Sequence, residues 1–138
     1  MATFPLSRWS PQLQSILRIV AAFLFIAHGT MKLFGTPAIP GGAAHPIPVG
    51  SVPWIAGVLE TAGGFLLLIG LFTRPVAFIL AGEMAVAYFM VHAPNGFWPA
   101  LNQGEAAVLF CFIWLFFAGA GPGPWSVDAA MARGRRGL

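Results

Sequence analysis

An all-α fold, an integral membrane four-helix bundle with both termini cytoplasmic, is what this 138-residue sequence predicts. Three observations carry that reading. Apolar residues make up 58% of the chain and charged residues only 8%, against about 25% charged in average soluble domains. Four apolar stretches each come close to the roughly 20 residues a helix needs to cross the hydrocarbon core. Five of the seven basic residues sit between or beyond those stretches, in a pattern that fits four crossings. Disorder needs low hydrophobicity and high charge, the opposite of this chain. An ordinary soluble enzyme could not cover itself with so few charges. A net charge of +3 rests on too few groups to point to nucleic acid, and no nucleic-acid partner is expected.

The elements follow in order within one membrane domain, residues 1–138. Met1 to Gln14 has no short apolar core followed by a small-residue cleavage site, so no removable signal peptide is read there. The first helix runs from about Leu13 to Gly35. Thr36 to Val52 holds Pro37, Pro40, Pro46 and Pro48 with Gly41 and Gly42, and is a loop. The second helix runs from about Pro53 to Phe72. Thr73-Arg74-Pro75 is a tight turn that places Pro75 in the first turn of the third helix, about Arg74 to His92. Ala93 to Asn102, with Pro94-Asn95-Gly96 and Pro99, is a second loop. The fourth helix runs from about Gln103 to Gly119, and Gly121-Pro122-Gly123-Pro124 stops it.

Lys and Arg near the membrane ends set the orientation. Arg8 precedes the first span, Arg74 lies between the second and third, and Arg133, Arg135 and Arg136 follow the fourth. The loops 36–52 and 93–102 contain neither residue type and are expected to be periplasmic. Trp9 and Trp125 then fall at the inner interface and Trp54 and Trp98 at the outer one, as an aromatic belt requires. The three C-terminal arginines read as a topology signal in contact with lipid headgroups rather than as a specific site.

Ionisable groups inside the spans are costly, of order 3 kcal/mol each on insertion scales. The first span carries Arg18, His28 and Lys32, the second Glu60, the third Glu83 with His92 at its end, and the fourth Glu105. At 1.5 Å per residue, His28 and Glu60 lie roughly 10 Å inside the outer boundary. Lys32 and Glu105 lie nearer that boundary, Glu83 is about mid-membrane, and Arg18 alone belongs to the inner half. Arg18, Ala21, Phe25, His28 and Lys32 share one face of the first helix. Glu60 shares a face with Gly57, Gly63 and Gly64, the small residues that mark close helix approach. Glu83 and His92 are nine residues apart, on opposite faces of an ideal helix, and His92 stacks with Tyr88 instead.

Two readings of this cluster stand side by side. His28, Lys32, Glu60 and Glu105 brace the helices as buried ion pairs, or the cluster is a ligand or proton site. A haem between His28 and His92 is a weak reading, because two histidines on different spans each have a simpler partner. No metal or nucleotide motif is present. The one cysteine, Cys111, lies in an apolar run and excludes an internal disulfide, a CxxC pair and a multi-Cys metal site. Phe110, Phe112, Phe116 and Phe117 read as packing or lipid-facing groups, or as the lining of a hydrophobic quinone slot.

Several stretches resemble the DoxX family of small membrane proteins. They are Arg18…Phe25-x-x-His28-Gly29-x-x-Lys32-Leu33-Phe34-Gly35, then Glu60-x-x-Gly63-Gly64…Gly70-Leu71-x-Thr73-Arg74, then Glu83-Met84…Ala87…His92…Asn95-Gly96-Phe97-Trp98. The tail Gly119…Gly121-Pro122-Gly123-x-Trp125-Ser126-x-Asp128 resembles the family's ending. The resemblance runs from about Arg18 to Asp128. It implies a four-helix protein of the bacterial inner membrane, with Arg18, His28, Lys32, Glu60, Arg74, Glu83 and His92 as its family-like polar positions. Some relatives are linked to quinone-coupled oxidation of sulfur compounds, others to a membrane complex with soluble oxidoreductases.

Three functions are compatible with these residues. The first is a membrane subunit of a redox assembly that anchors a soluble oxidoreductase or binds a quinone. There Lys32 or His28 hydrogen-bonds a quinone carbonyl and Glu60 or Glu83 carries the proton. The second is a small proton-coupled transporter or channel-like protein, working as a homo-oligomer. The third is a structural or assembly subunit without chemistry. With one buried cysteine, the chain offers no sulfur-handling centre.

Overall fold

A computed structural model describes residues 4–42 and 47–137 of the chain. Residues 43–46 of the expected loop 36–52, Pro46 among them, lie outside the described residues, as do the first three residues of the Met1–Gln14 segment and residue 138. The described residues form helices joined by turns. After a 3₁₀ turn at Pro5–Trp9 come α1 (Ser10–Phe34), α2 (Val52–Ile69), α3 (Thr73–Ala87), a short α4 (Pro99–Asn102), α5 (Glu105–Ala120) and α6 (Val127–Arg136). The stretches Pro5–Phe34, Val52–Ile69 and Thr73–Asn95 are long and apolar enough to cross a membrane, and Glu105–Ala120 is a shorter apolar helix.

Local chemistry sets the boundaries. α1 starts with Pro11 in its first turn and ends at Gly35, whose left-handed backbone (φ 64°) lets its N–H reach the Met31 carbonyl. In α2 the Ser51 hydroxyl caps the first turn by accepting from the Trp54 N–H, and left-handed Gly70 ends the helix. α2 therefore stops three residues short of the expected Phe72, because Leu71 N–H turns back to the Leu66 carbonyl. α3 passes into a π-helical turn at Tyr88–His92 and a 3₁₀ turn at Ala93–Asn95. Ser126 caps α6.

Packing joins two helix pairs. α1 lies chiefly on α2, α3 chiefly on α5, and α2 against α3 links the pairs. The core is aromatic where α1 and α5 meet. Phe25 packs on Phe110 (ring centroids 5.0 Å) and edge-on to Trp114 (5.3 Å), and Trp114 continues to Phe117. Small residues fill the other contacts, among them Ala21, Ala22, Ala77 and Ala81. A Cβ on Gly29 would stand 2.6 Å from the Thr61 backbone nitrogen, so α1 and α2 touch backbone to backbone. The outside is apolar: Phe23, Phe65, Phe78, Ile79, Leu109 and Phe112 all face outward. Such a surface belongs in lipid, with the backbone hydrogen bonds satisfied within each helix.

Candidate functional site

Three ionisable side chains from three helices meet in the bundle: Lys32 of α1, Glu60 of α2 and Glu83 of α3. Glycines make the meeting geometrically available. A Cβ on Gly57 would crowd Lys32 and Leu33 of α1 at 3.0 Å, and one on Gly63 would crowd Leu80 of α3 at 2.9 Å. Glu60 lies between those two glycines in sequence, on a stretch of α2 pressed against both neighbours. Side chains lean toward a helix's N-terminus, so Lys32, near the C-terminal end of α1, leans back into the bundle. Its Nζ donates to Glu60 Oε1 in a salt bridge. Glu60 is 2% exposed and Lys32 33%.

Glu83 completes the triad. Its carboxyl lies near Glu60 and Lys32 in the same part of the bundle. Both Glu83 oxygens and Glu60 Oε2 are buried without a donor among the described residues. Buried acceptors normally have partners. One ammonium against two carboxyl groups is short of neutrality by one proton, and a proton placed between facing carboxyls would supply the missing donor. The arrangement is chemically suited to holding and releasing a proton.

The remaining expected site residues lie elsewhere. His28 is exposed, one turn below Lys32 on α1, with its ring edge-on to Phe110 at 5.9 Å. It borders an apolar groove of about 460 Å³ between α1 and α5, lined also by Leu17, Leu24, Ala106, Leu109 and Ile113. Phe110 lines the same groove and is buried with Phe117, whereas Phe112 and Phe116 face outward. Glu105 is exposed in the first turn of α5, where the helix dipole favours a carboxylate. His92 stacks on Tyr88 and places Nδ1 3.1 Å from the Asn102 carbonyl oxygen.

Asn102, which sequence reasoning missed, is the centre of that end. Its Nδ2 donates to the Gly96 carbonyl at 2.6 Å and to the Tyr88 hydroxyl at 3.3 Å, and its Oδ1 accepts from the Gly104 N–H. The Tyr88 hydroxyl in turn donates to the Phe97 carbonyl. The available signal was an Asn two residues before a glycine at a helix start, the setting of an Asx turn.

The arginines tie the opposite end. Arg18 is fully buried and gives its guanidinium to four backbone carbonyls: Nη1 to Leu67 (2.5 Å) and Leu68 (2.7 Å), Nε to Pro122 (2.9 Å), and Nη2 to Trp125 (2.5 Å). Two of those carbonyls close α2, where a cation also meets the negative end of the helix dipole. Arg74 donates to the Ala118 and Gly119 carbonyls at the end of α5. Asp128 accepts from the Phe72 and Thr73 N–H groups at the start of α3 (3.0 and 2.9 Å). These groups therefore close helix ends, and none of the three meets the triad.

The sequence model of the DoxX family matches residues 13–93. That range contains all but the first three residues of α1, the whole of α2 and α3, and the triad. A Haemophilus influenzae protein described as uncharacterised is 42% identical over 130 residues, covering 89% of this chain and 93% of its own. An uncharacterised membrane protein of Mycobacterium tuberculosis is 23% identical over 130 residues, covering 85% of this chain and 80% of its own. No solved structure matches. The extent of the family match, together with a relative this similar over nearly its whole length, places the chain: it is a multi-pass membrane protein and belongs to the DoxX family.

Proposed function

We propose that the protein is the membrane subunit of a redox assembly, handling a quinone in the α1–α5 groove and moving a proton at the Lys32–Glu60–Glu83 triad. One observation carries the reading. The groove is apolar, open toward lipid, and bordered by His28, one helical turn (about 6 Å) from Lys32. An isoprenoid tail fits such a slot. His28 or Lys32 then hydrogen-bonds a quinone carbonyl, and Glu60 or Glu83 delivers the proton that reduction requires. The electrons come from a soluble oxidoreductase partner. The arginine distribution supports an orientation in a bacterial inner membrane with Lys32 and Glu60 toward the outer side and Glu83 about mid-membrane.

The test has two arms. In nanodiscs the wild-type protein should bind decylubiquinone saturably, and Ala106→Phe, which fills the groove from its exposed rim, should lose that binding. In membranes, Glu60→Gln should abolish quinone-dependent turnover while insertion stays normal. Absence of saturable binding refutes the quinone slot, and unchanged turnover in Glu60→Gln refutes the proton role. Proton-driven solute flux in proteoliposomes without quinone binding would move the assignment to a transporter.

A further inference from the structure

α6 is built differently from the other helices. Val127, Ala130, Met131 and Gly134 recur at the i, i+3, i+4, i+7 spacing of one helix face. Arg136 lies on the opposite face, and Arg133 and Arg135 flank the stripe on either side. The helix is held at its first turn. The Asp128 N–H donates to the Gly70 carbonyl at 2.9 Å and its carboxylate takes the first N–H groups of α3. Arg18 grips Trp125 just ahead of it. This pinning fixes the start of α6 at the α2–α3 corner, level with the ends of the spans.

Two features say what lies against it. Exposed apolar groups lie at the pinned end and along the helix: Phe72, Trp125 and Met131 are all outward-facing. The one carboxylate of α6 is already committed to α3. Among the described residues the single salt bridge is Lys32–Glu60, so Arg8, Arg133, Arg135 and Arg136 have no carboxylate partner. A helix with an apolar stripe, unpaired arginines and a tryptophan just ahead of it at the end of a membrane bundle fits the interface between acyl chains and headgroups.

We propose that α6 lies in the headgroup layer and binds anionic phospholipids through Arg133, Arg135 and Arg136. Because its first turn caps α3, lipid bound to α6 stabilises the bundle. Attraction of an arginine to an anionic surface is worth roughly a fivefold change in affinity, so the three together give about a hundredfold.

The experiment uses the full chain in nanodiscs of equal parts phosphatidylglycerol and phosphatidylcholine. Retained lipids are counted by native mass spectrometry, and thermal unfolding is followed in parallel. The wild type should retain phosphatidylglycerol preferentially and unfold at higher temperature than in phosphatidylcholine alone. The triple variant Arg133→Gln, Arg135→Gln, Arg136→Gln should lose both effects, yet match the wild type in pure phosphatidylcholine. Asp128→Asn should keep the lipid preference and lose most of the thermal gain. A wild type with no preference, or a triple variant that keeps it, overturns the proposal. So does an α6 that captures an acidic soluble protein while showing no lipid preference.

Discussion

Arg18 shows how a single residue can look functional in sequence and be architectural in space. A buried guanidinium inside a membrane span is the pattern of an ion or substrate site. Here its hydrogens go to four backbone carbonyls. The sequence shows the cost of the charge but not the carbonyls, which come from residues 49 to 107 positions away. Arg18→Met should strand those carbonyls and lower stability by about 3 kcal/mol or more. Arg18→Lys should recover only part of it, because one ammonium cannot span a site shaped for a planar fork. Thermal unfolding in detergent micelles measures both. Glu83 is the converse case. Residue counting sets Glu83 about midway along its span, but its place near Glu60 depends on how α2 crosses α3, which spacing does not encode. Lys32 and His28 share a face of α1, yet one reaches α2 and the other turns toward α5.

At the scale of elements, hydropathy marks where helices lie and local chemistry marks where they stop. Leu71 and Phe72 are as apolar as the helix before them, but Gly70 has already turned the chain, and Phe72 itself adopts φ 50°. The π-helical turn at the end of α3 leaves no periodic trace in the sequence, and its Tyr88 and His92 side chains bond to Phe97 and Asn102 in the segment that follows. Glycine spacing was more informative. Gly57 and Gly64 flank Glu60 on the buried side of α2, as the small-residue face implied. Gly29→Ala would press a methyl group into the backbone of α2, against Thr61 N and Gly57 O at 2.6 and 2.9 Å, costing about 1–3 kcal/mol. Gly82→Ala meets nothing within 4 Å and should be neutral or stabilising by up to about 1 kcal/mol. Paired melting curves of the two variants separate helix contact from helix propensity. Equal shifts would refute the close α1–α2 approach.

For the whole molecule, the all-helical class and the places of the four apolar helices were legible from composition and stretch length alone. The pairing of α1 with α2 and α3 with α5 was not, nor the groove left between the pairs, because four apolar helices of similar length carry no label for their neighbours. Orientation rests on the arginines and is directly testable in a Cys111→Ala background. Ile39→Cys should react with an impermeant maleimide in spheroplasts, and Ala132→Cys only in inverted vesicles. The reverse pattern would put Lys32 and Glu60 toward the inner side of the membrane.

The clasp of Arg18 on Pro122 and Trp125 also has a temporal consequence. Arg18 enters the bilayer early in synthesis, whereas two of its four acceptors are translated more than a hundred residues later. Until Trp125 leaves the ribosome, the first helix carries a charge whose hydrogen bonds are incomplete, and the bundle has no closed end. A nascent chain halted just after Ala120 should therefore be held by the insertion machinery or degraded, and one halted after Asp128 should be released as a folded protein. The last segment made is the latch that completes the first.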